Sequence, residues 1–241
     1  MVNSLRAELR KLFTTRSTYV LCILAVLLMA VVALYYSTYK SQVVPLVEVL
    51  HNSISLGVLF CCFTVVLLMA HEYRYNTIVY TLTSNARRGR VLAAKILAAT
   101  LFGAAYSIGL VLVTAALYAL FLVLHGADLP PLGASFVPVV GSLLLYYIGY
   151  ALLGLIIATL VRSIVATVGI IFGMSFIVEP LLGVLALHES AKYLPFASLD
   201  AVVGSARGFS LTPGNAIVMS GVYIVVGLLA AWALFELRDA T

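Results

Sequence analysis

The chain has 241 residues, of which 63% are hydrophobic and only 10% are charged. Soluble domains carry about 25% charged residues, so a soluble enzyme, a disordered chain and a secreted disulfide scaffold are excluded. The net charge of +5 would hint at nucleic acid in a soluble protein. In a membrane protein a surplus of Lys and Arg reports topology instead, so we expect no nucleic-acid partner.

The first predicted element covers residues 1–16. Apolar residues recur there at helical spacing from Val2 to Phe13, and Arg6, Arg10 and Lys11 fall on the other side. This pattern predicts a short amphipathic helix in the inner headgroup layer, with its apolar face in lipid. The alternative is a plain basic flank of the first span.

Six windows follow that are long and apolar enough to cross a membrane. A bilayer core of about 30 Å requires about 20 apolar residues in a helix. The six windows are residues 17–39, 49–70, 91–124, 132–161, 163–187 and 216–237. We therefore expect an all-α membrane protein with one transmembrane domain over residues 1–241. Only Arg162 separates spans four and five, which predicts a tight helical hairpin.

The distribution of basic residues predicts the orientation. With the N-terminus in the cytoplasm, eleven Lys and Arg lie inside and three lie outside. The inside set is Arg6, Arg10, Lys11, Arg16, Arg74, Arg87, Arg88, Arg90, Lys95, Arg162 and Arg238, and the outside set is Lys40, Lys192 and Arg207. We expect a multi-pass protein of the plasma membrane with both termini in the cytoplasm.

The stretch from residue 71 to residue 90 is the most polar on the predicted cytoplasmic side and is longer than a hairpin turn requires. Residues 73–82 can form a short helix rich in Tyr and Arg, and Thr83 or Ser84 can cap the next helix. Tyr and Arg are frequent anchors of protein interfaces, which favours a docking surface. A solvated charged loop is the alternative.

The order of residues in this loop resembles a known signature. Glu72, then Asn76-Thr77, then Thr81-Leu82, then the run from Arg87 to Lys95 is similar to the loop of ABC transporter permeases of the type-2 exporter class. That class reads Glu, Gly-Thr, a Leu-containing turn often with Pro, an Arg, and Leu-x-x-Lys leading into the third span. Here Asn76 stands at the Gly position, and Ala86 stands near the usual Pro.

The resemblance implies that residues 71–90 contain a coupling helix, seated in a groove of a separate ATP-binding subunit. The coupling residues implied are Glu72, Tyr73, Arg74, Tyr75, Asn76, Thr77, Arg87 and Arg88. The sequence contains no G-x-x-x-x-G-K-[ST] motif, so we expect two copies of a P-loop ATPase partner to bind the ATP and Mg. A second permease copy or a paralogue completes the implied assembly in membrane lipid.

Residues 188–213 are too polar to span the membrane and too apolar for a free loop. The resemblance implies two short re-entrant helices that dip into the outer leaflet between spans five and six. Backbone at that depth must pack against protein or line a cavity. An amphipathic loop on the outer face is the alternative.

Glu179 is the one acidic residue predicted deep inside a span. It is either a substrate, cation or proton site, or a residue that reaches the outer interface because Pro180 breaks the fifth span. With Tyr106, Tyr146 and Tyr147 it forms our candidate substrate path.

The function implied is the permease subunit of an ATP-driven exporter, moving an amphiphilic or hydrophobic drug, peptide or lipid outward by alternating access. A secondary transporter or channel not coupled to ATP is the alternative; a membrane enzyme or a passive immunity protein is a third class. The sequence has neither H-E-x-x-H nor G-x-S-x-G, and its histidines lack metal-ligand spacing. We therefore expect no catalytic residue and no metal in this chain.

Overall fold

The structure is a computed structural model that describes residues 2–38, 43–75, 77, 88–130, 133–204 and 211–237, with the backbone alone for 54–56, 88 and 186–189. Every regular element in these ranges is helical. Six of the helices are long and apolar enough to cross a membrane. The prediction of an all-helical chain with six apolar spans is thereby confirmed.

The helices follow the predicted windows to within a few residues. The first five are α1 (Val2–Thr14), α2 (Arg16–Thr38), α3 (Leu46–Arg74), α4 (Arg88–Leu124) and α5 (Phe136–Val161). The fifth span comprises α6 (Ile164–Gly173), a π-helical turn (Met174–Val178), α7 (Glu179–Leu182) and a second π-helical turn (Gly183–Leu187). A 3-10 helix (His188–Tyr193) and α8 (Pro195–Val202) precede the last span, α9 (Pro213–Leu237).

Pro180 does not break the fifth span, and this expectation was wrong. The span continues through it to Leu185. Pro180 is the second residue of α7 and lies inside a continuous helical segment, where proline removes one hydrogen bond and crowds the preceding turn. The two π-helical turns that flank α7 keep the segment helical on both sides.

The short connection between spans four and five is present as predicted. Helix α5 ends at Val161 and α6 begins at Ile164. Arg162 ends α5 in the left-handed conformation, with φ 59° and ψ 14°, which is the usual geometry for a helix that stops abruptly. Ser163 then caps α6, because its Oγ accepts a hydrogen bond from the N–H of Ala166 at 3.5 Å.

The helices α3 and α5 form the centre of the bundle, and α9 is its most exposed span. Gly154 of α5 lies against Cys62 and Val66 of α3. A Cβ atom added at Gly154 would lie only 2.7 Å from Sγ of Cys62. Small residues let membrane helices approach closely, which is the main source of packing energy between them.

Several chain segments meet at one end of the bundle, which we call the charged end. Lys11 of α1 contacts Glu72 near the end of α3. The guanidinium of Arg162 lies over the ring of Tyr73, 5.1 Å from its centroid. Near the last turn of α9, Trp232 closely approaches Gly89 of α4. The first and last described helices therefore both reach the charged end.

Candidate functional site

The N-terminal helix α1 lies against the protein at the charged end. Its Glu8 and Leu12 are buried, and Leu5 packs against the main hydrophobic core. Val2 and Phe13 remain exposed. Only part of the apolar face of α1 is therefore available to lipid. The sequence-based assignment of that face did not consider that Glu8 would be buried against the protein.

Four charged side chains form a closed ring, which we call the four-charge ring. Nζ of Lys95 lies 2.8 Å from Oε2 of Glu8 and 2.8 Å from Oε1 of Glu72. Nζ of Lys11 lies 2.9 Å from Oε1 of Glu8 and 2.5 Å from Oε1 of Glu72. Each ammonium group bridges both carboxylates. The ring therefore joins α1 to the end of α3 and to the first turns of α4.

Three members of the ring are buried, Lys11 is partly exposed, and the formal charges of the four sum to zero. Lys95 is 0% exposed, and Glu8 and Glu72 are 3% and 5% exposed. Burial lowers the pKa of Lys11, but its hydrogen bonds to Glu72 and Glu8 and their charges raise that pKa above its ordinary value. Lys11 accordingly stays charged at neutral pH. Removal of one partner from such a ring leaves a buried charge uncompensated, which costs about 3–5 kcal/mol.

A cavity of about 620 Å³ lies beside the ring, between α1, α2, α3 and α4. Three ring residues line its polar side, and Leu67 and Leu68 of α3 line its apolar side. Among these residues Glu72 is unusual, because its Oε2 is buried and has no hydrogen-bond partner within the described part of the chain. The cavity thus combines charged side chains of the ring with an apolar wall.

The predicted coupling residues of α3 lie at the charged end. Tyr73 is half-buried under Arg162, whereas Arg74 and Tyr75 are exposed, with the Arg74 guanidinium 5.7 Å from the Tyr75 ring centroid. The N–H of Thr77 donates to the carbonyl of Glu72 at 3.0 Å. The remaining three predicted residues are only partly covered: Asn76 and Arg87 lie outside the described residues, and Arg88 is described by its backbone, at the start of α4.

Two of the three tyrosines of the candidate substrate path are buried. Tyr146 and Tyr147 are 1% and 2% exposed, whereas Tyr106 is half-buried and contacts Tyr147 with ring centroids 5.8 Å apart. A substrate could reach Tyr146 and Tyr147 only after the helices around them separate. Their role in a substrate path stays a prediction.

Glu179 is held by the start of α8. It is 4% exposed, so it does not simply reach the interface as one of our two interpretations expected. Its Oε1 accepts a hydrogen bond from the N–H of Phe196 at 3.1 Å, and its Oε2 accepts one from Ala197 at 2.7 Å. The first N–H groups of a helix lack partners within it and favour a negative charge. The carboxylate therefore caps α8 from the fifth span.

A second buried acid, Asp200, completes the attachment of α8. The hydroxyls of Tyr146 and Tyr150 both donate to Oδ1 of Asp200, at 3.0 and 2.9 Å. Ser175 lies 3.3 Å from the Tyr150 hydroxyl. Helix α8 is thus bound to α5 through Asp200 and to the fifth span through Glu179.

The chain was compared with known protein families. A family model described as protein of unknown function (DUF2705) matches residues 18–241. The chain belongs to this family. No curated protein matches it significantly. The match includes Glu72 and Lys95 of the four-charge ring, and Glu8 and Lys11 precede it.

The sequence analysis did not predict the buried residues that make the long-range polar contacts of this DUF2705 protein. Glu8 was not singled out, although it stands three residues before Lys11, a spacing at which helical side chains meet. Lys95 was considered only for the orientation and as part of the signature, although a cation inside an apolar window must find a partner. Asp200 carried no signal in the sequence, because the tyrosines that bind it lie about fifty residues away.

Proposed function

We propose that this protein is the membrane-spanning permease subunit of an ATP-binding cassette exporter of the type-2 class. One observation carries the proposal: the four-charge ring joins α1 to both spans that flank residues 75–87. A force applied to that connection would reach α1, α3 and α4 together. A permease that is driven by an ATPase needs such a connection, because movement of the ATPase has to be transmitted to several spans at once.

In the proposed mechanism, two P-loop ATPase subunits bind ATP and Mg and close on each other. Their closure pushes the coupling helix, which we place within residues 71–90. The ring keeps α1 attached to the ends of α3 and α4 during this movement, because separating them would expose buried charges to an apolar environment. The spans then reorient, and a path between this chain and a second permease copy or paralogue opens outward.

The orientation in the plasma membrane follows from charge. Basic residues are concentrated at the charged end, including Lys11, Arg74 and Arg162. Basic residues near span ends favour the cytoplasm. We place the charged end, the two termini and the coupling helix on the cytoplasmic side.

The opposite side of the permease would be closed by residues 188–213. Helix α8 lies beside the fifth span and α5, bound through Glu179 and Asp200. We propose that this segment is re-entrant and caps the outer end of the path. Its aromatic Phe196 packs against Tyr150 of α5, with ring centroids 5.6 Å apart. Such walls suit an amphiphilic or hydrophobic substrate such as a drug, peptide or lipid.

The proposal is tested by purification of the tagged chain in mild detergent from its native host. A P-loop ATPase present in equal amount, with transport in proteoliposomes that requires ATP, would support it. A chain that moves solute without ATP and without a partner would instead support the alternative, a secondary transporter or channel.

The site assignment is tested by a double variant, Glu72→Ala with Arg88→Ala. We expect ATP hydrolysis to be uncoupled from transport, or the ATPase to dissociate, at unchanged levels of membrane insertion. The matched control is Glu48→Ala, which removes an exposed acid in the first turn of α3, at the other end of that helix. Fully coupled transport by the double variant would contradict the assignment.

A further inference from the structure

We propose that the cavity beside Glu72 binds the head group of a phospholipid that carries a primary ammonium, the phosphoethanolamine head group. The site would hold this lipid independently of any ATPase partner. The hydrogen-bonding groups beside the cavity, the charge balance of the ring and the shape of the cavity each favour this ligand.

The hydrogen bonds point to an N–H donor. Glu72 is 95% buried, since its exposed fraction is 5%, and both bridging ammonium groups bind its Oε1. Its Oε2 is itself buried and has no hydrogen-bond partner among the residues that the structure describes, although a buried carboxylate oxygen without a donor is costly. A primary ammonium supplies three N–H donors, whereas the trimethylammonium of a choline head group supplies none.

The charge balance favours a zwitterion. The four-charge ring is neutral, so a simple cation bound at Glu72 would leave one uncompensated positive charge in a region of low dielectric. A phosphate on the same ligand removes that excess. Lys11 is the group that can meet the phosphate, because its Nζ has three N–H groups, makes two carboxylate contacts, and belongs to a side chain that is 39% exposed.

The shape of the cavity favours an amphiphile. Its lining on α3 runs from Glu72 back to Thr64, which is about 12 Å along a helix axis. Leu67 and Leu68 lie between these two residues, and Thr18 of α2 lies on the opposite side. The volume of about 620 Å³ is within the range of sites for molecules of drug size. A head group at Glu72 would leave the start of an acyl chain beside the leucines.

The experiment uses native mass spectrometry of the purified chain in detergent. Phosphatidylethanolamine, phosphatidylcholine and phosphatidylglycerol with identical acyl chains are titrated separately. We expect the ethanolamine lipid to bind about tenfold more tightly than the choline lipid, because hydrogen bonds to charged groups are the stronger ones. Equal retention of the three lipids would overturn the proposal.

Two variants of α1 locate the site. Ala7 is exposed and lines the cavity, so a phenyl group introduced by Ala7→Phe would occupy it without disturbing the core. Asn3 is exposed on the same helix and does not line it, so Asn3→Phe is the matched control. We expect Ala7→Phe to abolish the preference for ethanolamine lipid and Asn3→Phe to retain it. An unchanged preference in Ala7→Phe would contradict this location.

A competition experiment with soluble phosphoethanolamine distinguishes a bound phospholipid from the free small molecule as the ligand. We expect it to compete with the lipid only weakly, because it lacks the acyl carbons that would lie beside Leu67 and Leu68. Displacement of the lipid by equimolar soluble phosphoethanolamine would show that the head group alone is the ligand, and the lipid assignment would fail. A failure of the exporter proposal would leave all these binding results unchanged.

Discussion

Replacement of Lys95 by methionine tests the four-charge ring directly. Methionine has nearly the length of lysine without its charge, so Lys95→Met leaves two carboxylates facing one ammonium and a net charge of −1. Lys95 is fully buried and Glu8 is 3% exposed, so solvent screens this charge little. An uncompensated buried charge costs about 3–5 kcal/mol, which corresponds to a Tm lower by about 6–20 °C for a chain of this size.

A second substitution distinguishes charge from simple loss of packing. Glu8→Gln alone leaves a net charge of +1 in the ring, whereas Glu8→Gln combined with Lys95→Met leaves Lys11 and Glu72 as one neutral pair. We therefore expect the double variant to be more stable than Lys95→Met alone. The interaction energy between the two substitutions should be about 2 kcal/mol, within the range for residues in direct contact.

The assay can use the cysteines of the chain. Cys61 and Cys62 are fully buried in α3, so a thiol-reactive dye reports their exposure when the purified protein is heated in detergent. Arg6→Met removes an exposed cation from α1 and is the control. Additive losses of Tm in the double variant, or an unchanged Tm in Lys95→Met, would refute the electrostatic account of the ring.

Two further predictions use the same thermal assay. Gly154→Ala should lower the free energy of unfolding by about 1–3 kcal/mol, because its new Cβ would overpack the contact with Cys62 of α3. Gly169 faces open space, so the control Gly169→Ala should leave Tm nearly unchanged. Equal effects of the two substitutions would contradict the close approach of α3 and α5. Glu179→Ala should lower Tm more than Glu179→Gln, because the amide oxygen of glutamine still accepts one hydrogen bond from the start of α8. Indistinguishable Tm values for these two variants would argue against the cap.

The spans were predictable because a bilayer imposes a local rule. A helix that crosses it must be apolar over about 20 residues, and that property can be counted along the chain. The predicted window 163–187 matches the helical segments from Ile164 to Leu187, and 132–161 differs from α5 only at its beginning. The break expected at Pro180 does not occur, because the span passes through the proline with π-helical turns on both sides of α7.

The partners of the buried charges were not predictable, because they are distant in sequence. Glu8 and Lys95 are separated by 87 residues, and Glu179 binds backbone N–H groups 17 and 18 residues further along. Hydropathy flags a charge inside a span as costly but does not name its partner. Glu72 was identified through a sequence signature, whereas its contacts with Lys11 and Lys95 required the fold.

Polar contacts determine where the helices outside the spans attach. Apolar side chains gain little from leaving lipid for protein, so membrane helices associate through close packing and hydrogen bonds. Helix α1 is attached through Glu8 to Lys95, and α8 is attached through Glu179 and Asp200, whereas the contact of α3 with α5 depends on Gly154. In the proposed transport cycle, helices that are joined by polar contacts would therefore move together as rigid units. Neighbouring units would slide past one another along apolar helix surfaces, where the movement leaves no charge unpaired.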